Sequence, residues 1–139
     1  MNLLMVNDAV LELHTMEKTI EWKKYGVEKV YTADNAAAAR LIIKDSPIDI
    51  LLCDIEMPME NGISLIRWIR AEKYDIDCIL LTCHADFTYA KEALTLNRCE
   101  YILLPAKYED IGLNVQKVVN ERARRLHDSQ LQEFGETWI

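Results

Sequence analysis

Residues 50–58 read ILLCDIEMP, a stretch in which four consecutive apolar residues lead directly into an aspartate. Continuous hydrophobicity over so short a length is typical of a strand that is buried on both faces of a parallel sheet. Comparable runs occupy residues 3–6, 78–81 and 101–104, and a weaker run, interrupted by charged residues, occupies residues 27–31. The pattern therefore predicts five short strands.

The segments between these runs carry apolar residues at helical spacing. Strand and helix therefore alternate along the chain, which predicts βαβ units, a parallel sheet and helices on both of its faces. We expect an α/β fold with a doubly wound five-stranded sheet in the order 2-1-3-4-5. The five predicted helices are marked by Val10, Leu13, Met16 and Ile20; by Ala37 and Leu41; by Ile63, Leu65, Ile66 and Ile69; by Phe87, Ala90, Ala93 and Leu94; and by Ile111, Val115, Val118, Val119 and Arg122.

The composition narrows the class of protein. The chain has 139 residues, which is the size of one domain, and 23 acidic against 16 basic side chains give it a net charge of -7. So acidic a surface disfavours direct binding to nucleic acids or anionic lipids. No apolar run approaches the roughly 20 residues of a membrane span, and the four cysteines form no CxxC pair. We therefore expect a cytoplasmic protein with reduced thiols and no membrane contact.

In this architecture, ligands bind beyond the carboxyl ends of the strands, where the strand order reverses. The turn after the first strand has no glycine, which disfavours a nucleotide or flavin site. Asp8 in that turn and Asp54 at the end of the third strand instead suggest a hard divalent cation such as Mg²⁺. An alternative is that Asp8 only caps the following helix. Asp54 is harder to explain in this way, because Asn61 is the better cap for the helix that begins near Gly62.

Four short motifs stand at or near these strand ends. Residues 54–58 read DIEMP and are followed by Gly62, Thr82 follows the fourth apolar run, Tyr101 opens the fifth, and residues 86–94 read DFTYAKEAL. Together these motifs resemble the receiver domain of two-component response regulators. The last of them is similar to receivers that precede AraC-type DNA-binding domains. The resemblance covers nearly all of the predicted fold and implies a flavodoxin/CheY-like architecture.

The resemblance implies a chemical role for each matched residue. Asp54 accepts a phosphoryl group from a histidine kinase. The Thr82 hydroxyl contacts that phosphoryl group, and Tyr101 turns inward as the switch. The Mg²⁺ ligands implied in the same way are Asp8, Asp54, the backbone carbonyl of Glu56 and, weakly and through a water molecule, Asn7.

The resemblance also implies partners. A histidine kinase supplies the phosphoryl group, and the switched module forms a homodimer through the face made by helix four, strand five and helix five. Such a module controls transcription through an output domain, and we expect DNA binding only through that domain and not through this chain. We expect the receiver domain at residues 1–122, and a helical extension toward the missing output domain at residues 123–139.

Two positions depart from the pattern of the family. The family has two acidic residues after the first strand, and the first of them is replaced here by Asn7. The family also has a lysine before the proline that follows the fifth strand, and this chain has Leu104 before Pro105. Leucine cannot neutralise the charge of a phosphoryl oxygen. Whether Lys107 reaches the site in its place is open at this stage.

The residues therefore leave two functions open. The first is a phospho-acceptor module with a switched dimerisation face. The second is a pseudo-receiver, in which phosphorylation of Asp54 is impaired and the same face binds a partner constitutively. A hydrolase of the haloacid dehalogenase type is the weakest alternative, because it needs a second aspartate two residues after the nucleophile, and Glu56 stands there. We therefore expect a signalling module and not an enzyme.

Overall fold

A computed structural model of the protein describes residues 1–83, 91–93 and 95–137. Its strands are β1 (Asn2–Val6), β2 (Lys29–Ala33), β3 (Ile50–Asp54), β4 (Asp77–Cys83) and β5 (Cys99–Leu104). They form one sheet in the order β2-β1-β3-β4-β5, and every neighbouring pair is parallel. The predicted α/β class and the strand order 2-1-3-4-5 are therefore confirmed.

Helices connect the strands and cover both faces of the sheet. They are α1 (Val10–Thr19), α2 (Ala36–Asp45), α3 (Gly62–Ala71) and a C-terminal helix (Tyr108–Thr137), with a short 3-10 helix at Trp22–Tyr25. Residues 91–93 are helical, and the rest of the predicted fourth helix, with most of the DFTYAKEAL motif, lies outside the described residues. In the described ranges, no helix is long and apolar enough to cross a membrane.

The second strand begins two residues later than the sequence pattern predicts. Gly26 ends the 3-10 helix with a left-handed backbone (φ 89°), a conformation that glycine adopts without steric cost. Val27 then donates its backbone N–H to the carbonyl of Trp22 (3.1 Å) and buries its side chain in the core. Val27 therefore belongs to the turn, although its hydrophobicity is that of a strand residue.

The core consists of two layers, because successive side chains of a strand point to opposite faces of the sheet. The layer under α2 and α3 contains the strand residues Leu4, Val6, Leu51, Cys53, Cys78 and Leu80. The layer under α1 and the C-terminal helix contains Leu3, Met5, Ile50, Leu52, Ile79, Leu81 and Ile102. Burial on both faces thus explains the apolar runs at residues 3–6, 50–53 and 78–81. The run at residues 101–104 is buried on one face only, because Tyr101 and Leu103 are exposed.

The helix starts differ in how they are capped. Asn61 caps α3 by accepting a hydrogen bond from the backbone N–H of Ser64 (2.9 Å), as predicted, and Asn35 caps α2 in the same way. The N-terminus of α1, in contrast, has no side-chain cap. The alternative that Asp8 only caps this helix is therefore wrong, and its carboxylate is free for another role.

Candidate functional site

The candidate site lies at the carboxyl edge of the sheet, where three neighbouring strands end. Asp54 is the last residue of β3, and its register partner on β4 is Leu81, which directly precedes Thr82. On the other side, Cys53 pairs with Val6, so that the turn carrying Asp8 begins beside Asp54. The strand order therefore brings together the residues that the sequence predicted at this edge.

Asp54 is a partly buried carboxylate that is a weaker acid than an ordinary aspartate. Burial, together with the negative charges of Asp8, Glu12 and Glu56, raises its pKa from an ordinary value of 3.8 to about 6. The backbone N–H of Glu56 donates a hydrogen bond to the carboxylate and opposes this rise. The ionised form of Asp54 is therefore energetically disfavoured, and a cation bound beside it would stabilise it.

Glu12 is a neighbour of the site that the sequence analysis missed. It lies in the first turn of α1, and its charge is one of those that raise the pKa of Asp54. The signal was present in the sequence, because Glu12 follows Asp8 by four residues and this spacing places two side chains on one side of a helix start.

Asn7 has a structural role in the turn after β1. Its side chain is buried, and its Oδ1 accepts a hydrogen bond from the backbone N–H of Ala9 (2.9 Å). Its backbone N–H donates to the carbonyl of Ala33 (3.1 Å) on β2. Asn7 is thus bonded within the turn through its side-chain oxygen and its backbone, and the water-mediated contact with a cation stays a prediction.

Thr82 and Tyr101 lie on the same face of the sheet, the one under α3. Leu80 pairs with Tyr101, and Thr82 pairs with Leu103, so the two side chains belong to adjacent strands and to the same alternation. Thr82 is buried, whereas Tyr101 is 44% exposed. Tyr101 therefore has its side chain outside the core, and its inward movement stays a prediction.

Leu104 lies on the opposite face, the one that alternation also assigns to Asp54. It packs against the apolar layer under α1, next to Ile102, and its peptide bond to Pro105 is cis. A cavity of about 310 Å³ lies beside it, lined among others by Glu12, Cys83 and Leu104. The packing that the sequence predicted for Leu104 is thus observed.

The described side chains bring no positive charge to Asp54. The charges that shift its pKa are all negative. Lys107, the lysine nearest in sequence to the position that Leu104 occupies, is exposed in the segment that follows β5, and it is not among the charges that shift the pKa of Asp54. The site is therefore rich in negative charge, and Leu104 contributes only apolar surface where the family has a cation.

The residues of the site fit Mg²⁺. Within the described ranges, no three His, Cys, Asp or Glu side chains converge closely enough to hold a metal by themselves. Mg²⁺ does not need such a cage, because it keeps several waters and is commonly held by one or two carboxylates together with phosphate oxygens. The carboxylates of Asp8 and Asp54 and the carbonyl of Glu56 are a donor set of this kind, and their charge calls for a cation.

Gly62 fixes the loop that follows Asp54. Its backbone N–H donates to the carbonyl of Ile55 (2.9 Å), which closes the loop at the start of α3. A Cβ atom at this position would lie 2.6 Å from the backbone oxygen of Asp54, a distance that is too short for any other residue without a shift of the backbone. The glycine of the predicted motif is therefore required by the close approach of α3 to β3.

Comparison with known proteins points to one family. A family model described as the response regulator receiver domain matches residues 3–116. The chain is 36% identical over 118 residues to the transcriptional regulatory protein NatR of Bacillus subtilis (strain 168), and the match covers 85% of this chain and 49% of NatR. The chain thus spans about half the length of this relative.

Solved structures show the same architecture. A two component transcriptional regulator AraC from Clostridium phytofermentans ISDg superimposes with a TM-score of 0.79 at 25% identity, over 86% of this chain and 93% of that one. A CheY-like receiver domain protein from Methanospirillum hungatei JF-1 reaches a TM-score of 0.80 at 20% identity, over 89% and 97% of the two chains. The second likeness shows the fold alone.

Proposed function

Because the chain belongs to the response regulator receiver domain family, we propose that Asp54 accepts a phosphoryl group from a histidine kinase and thereby switches an output face. Receiver domains are modules of two-component signalling that regulate transcription, and they are not catalytic enzymes. The observation that carries the proposal is the position of Asp54, a partly buried carboxylate at the carboxyl edge of the sheet beside Asp8 and Thr82.

In the proposed reaction, a carboxylate oxygen of Asp54 attacks the phosphorus of a phosphohistidine. An O–P bond forms as the P–N bond breaks, and the electron pair of that bond stays on the imidazole nitrogen. We propose that the Thr82 hydroxyl donates a hydrogen bond to a phosphoryl oxygen. Burial of Asp54 excludes part of the surrounding water, which strengthens each of these electrostatic contacts.

We propose Asp8, Asp54 and the carbonyl of Glu56 as the Mg²⁺ ligands, with Asn7 acting through a water molecule. When bound, Mg²⁺ supplies positive charge that offsets the carboxylate and the phosphoryl oxygens. The support for this assignment is the accumulation of negative charge around Asp54.

Leu104 supports the second candidate function, a phosphorylation-impaired receiver that binds a partner constitutively. Its side chain contributes to the apolar layer under α1 and leaves the phosphoryl site without the lysine of the family. Removing one preorganised cation from a phosphoryl site weakens the stabilisation of transferred charge by several kcal/mol, on the order of what a lost charged hydrogen-bond donor costs elsewhere. The two candidates therefore differ in how readily Asp54 is phosphorylated.

The proposed switch acts on the face that contains β5. Tyr101 and Leu103 are 44% and 53% exposed there, although both are large and apolar in part. Exposed apolar residues of this kind favour a protein partner, and we propose a second copy of the chain, joined through the predicted fourth helix, β5 and the C-terminal helix. The change in Tyr101 on phosphorylation is a shift between two populations of this face.

The proposed organisation divides the chain after residue 122. Residues 1–122 form the receiver domain, and residues 123–139 lead toward an output domain through which alone the whole protein contacts DNA. Support comes from exposure, because Arg122 is the last buried residue of the C-terminal helix up to residue 131. A histidine kinase partner places this regulator in the cytoplasm.

Intact mass after incubation with Mg²⁺ and phosphoramidate tests the proposal. We expect a single phosphate adduct on the wild-type chain, no adduct on Asp54→Asn, and an adduct that forms at least tenfold faster on Leu104→Lys. Size-exclusion chromatography of the same samples reports the dimer. Absence of an adduct on both the wild-type chain and Leu104→Lys, with a dimer that forms regardless, would support the constitutive module instead.

A further inference from the structure

A cluster of ion pairs joins the C-terminal helix to the amino-terminal edge of the sheet, opposite the candidate site. We call it the Arg122 cluster, and its centre is the bond from Arg122 Nη1 to Asp77 Oδ2 (2.9 Å). Arg125 Nη2 donates to the same carboxylate oxygen (2.6 Å), and Arg122 Nη2 donates to the backbone carbonyl of Asp75 (2.9 Å). The members of the cluster are Asp49, Asp75, Asp77, Arg98, Arg122 and Arg125.

The central pair is almost completely removed from water. Arg122 is 5% exposed and Asp77 is 3% exposed. Burial opposes the charge of Arg122, but its hydrogen bond with Asp77 and the charges of Asp75, Asp77 and Asp49 outweigh this effect and raise its pKa. A buried pair of this kind cannot separate without leaving an uncompensated charge inside the protein. The pair therefore holds two elements in one relative position.

In the part of the C-terminal helix whose side chains the structure describes, up to residue 131, apolar packing stops before residue 123. The helix has 30 residues, which corresponds to a length of about 45 Å. Its buried apolar residues end at Val119, and residues 123–131 are exposed. Among the described side chains, Arg122 and Arg125 carry the hydrogen bonds that join the start of this outer segment to the sheet. The helix is continuous, so its packed residues up to Val119 set the axis, and the ion pairs hold the helix at the point where apolar packing stops.

We propose that Arg122 is a positioning residue that fixes the direction of the helical segment 123–137 relative to the sheet, with Arg125 as a second contact. The anchor point on the sheet is Asp77, the first residue of β4. Thr82 lies near the other end of the same strand, so the segment is fixed to the strand that carries the hydroxyl of the candidate site. The inference concerns the fold alone and does not depend on phosphorylation.

Residual dipolar couplings of the backbone amides in the full, uniformly labelled chain test this proposal. In the wild-type chain, the couplings of residues 120–131 should fit the alignment of the sheet. In Arg122→Met, the couplings of residues 123–131 should fall to less than half, while those of the sheet stay unchanged. The matched control is Arg124→Met, because Arg124 is an exposed arginine of the same helix for which the described residues show no ion pair.

A second variant keeps the proposal falsifiable if Arg122→Met does not fold. Arg125 is 43% exposed, so that Arg125→Met should fold, and it removes one of the two bonds to Asp77. We expect its couplings at residues 123–131 to fall by a smaller fraction than in Arg122→Met but by more than in Arg124→Met. The proposal is overturned if a folded Arg122→Met retains the wild-type couplings, or if Arg125→Met and Arg124→Met cannot be distinguished.

Discussion

The environment of Asp54 disfavours the negative charge of its side chain. Its carboxylate is partly buried and close to the charges of Asp8, Glu12 and Glu56, and its pKa is raised to about 6 in consequence. Charge in a site that a cation is expected to occupy costs folding free energy when that cation is absent. The change in the free energy of unfolding when Asp54 is neutralised in the metal-free protein therefore measures how unfavourable its charge is.

Asp54→Asn should stabilise the metal-free protein at pH 7.5. One pKa unit corresponds to about 1.4 kcal/mol, and partial exposure of Asp54 reduces the full effect, so we expect a gain of about 1–2 kcal/mol. Urea unfolding in the presence of a chelator measures it. The control is Asp128→Asn, since Asp128 is exposed on the C-terminal helix and the described residues show no hydrogen bond or ion pair of its side chain.

In the presence of Mg²⁺, the wild-type chain should be more stable to urea than Asp54→Asn. The wild-type chain gains stability as the cation offsets the charge of Asp54, whereas Asp54→Asn gains little. If Asp54→Asn is no more stable than the wild-type chain without metal, the charge around Asp54 is already compensated and the proposed shortage of positive charge is wrong.

Glu60 forms the strongest ion pair near the loop that follows Asp54. Its carboxylate pairs with Arg40 of α2 through two hydrogen bonds, one of them 2.8 Å long, and it also accepts a hydrogen bond from Ser64 Oγ (2.9 Å). The hydrogen bond from Arg40 lowers the pKa of Glu60 below its ordinary value of 4.5. The pair connects α2 to the loop between β3 and α3.

The pH dependence of this pair has a definite sign. Because the pKa of Glu60 is lower in the folded state, its contribution to stability is present above pH 4.5 and is lost as the pH falls through the folded pKa. We expect Glu60→Gln to cost about 1 kcal/mol at pH 7 and a smaller amount at pH 3. Urea unfolding at both pH values measures this, and Glu72→Gln, at an exposed residue, should show no such dependence.

At the scale of single elements, the start of α3 leaves no room for a side chain at Gly62. Gly62 lies so close to β3 that an added Cβ would meet the backbone oxygen of Asp54 at 2.6 Å. Gly62→Ala should therefore cost about 1–3 kcal/mol, the usual cost of overpacking a core, and should weaken Mg²⁺ binding, because the backbone that carries Asp54 must move.

Asn61→Ala separates the two effects. It removes the cap of α3, which costs about 1 kcal/mol of stability, but it adds no atom near Asp54. Denaturant unfolding together with Mg²⁺ titration of both variants measures the difference. Equal weakening of Mg²⁺ binding in the two variants would show that loss of helix stability, and not the contact with Asp54, is responsible.

The elements were largely predictable because their signals are local. Four apolar runs and the cap of α3 depend on residues within one turn or one strand, and β2 begins later than predicted because Val27 belongs to the turn that ends the 3-10 helix. The composition of the site was also predictable, since parallel strands end at one edge. Glu12 was missed although its spacing from Asp8 signalled it. The role of Asn7 was not predictable, because its hydrogen bond with Ala9 depends on the conformation of the turn.

The Arg122 cluster is the clearest example of what the sequence does not show. Arg122 entered the sequence pattern only as the last member of a helical stripe, and its partner Asp77 is 45 residues away in the chain. Spacing placed Arg122 on the apolar stripe and Arg124 off it, but contacts over such separations leave no periodic signal, so the sequence does not show which carboxylate pairs with Arg122. Its function in the molecule became visible only with the sheet register.

At the scale of the whole molecule, the two edges of the sheet carry different groups of charged residues. The candidate site occupies the carboxyl edge, and the Arg122 cluster occupies the amino-terminal edge. Asp77 and Thr82 are five residues apart on β4, a distance of about 17 Å along a strand. This is longer than the Debye length of about 8 Å at physiological ionic strength, and direct electrostatic influence between the two ends is therefore small.

Arg122→Met should accordingly leave Mg²⁺ binding within twofold of the wild-type midpoint, even though it loosens the helical segment. Amide chemical shifts of residues 7–8 and 54–56 during a Mg²⁺ titration measure this, and Asp54→Asn serves as the variant in which binding is lost. A midpoint that moves by more than fivefold in a folded Arg122→Met would mean that the two edges communicate through β4. Since that strand is hydrogen-bonded on both sides within the sheet, such communication would require a displacement of the strand itself and not a change of charge.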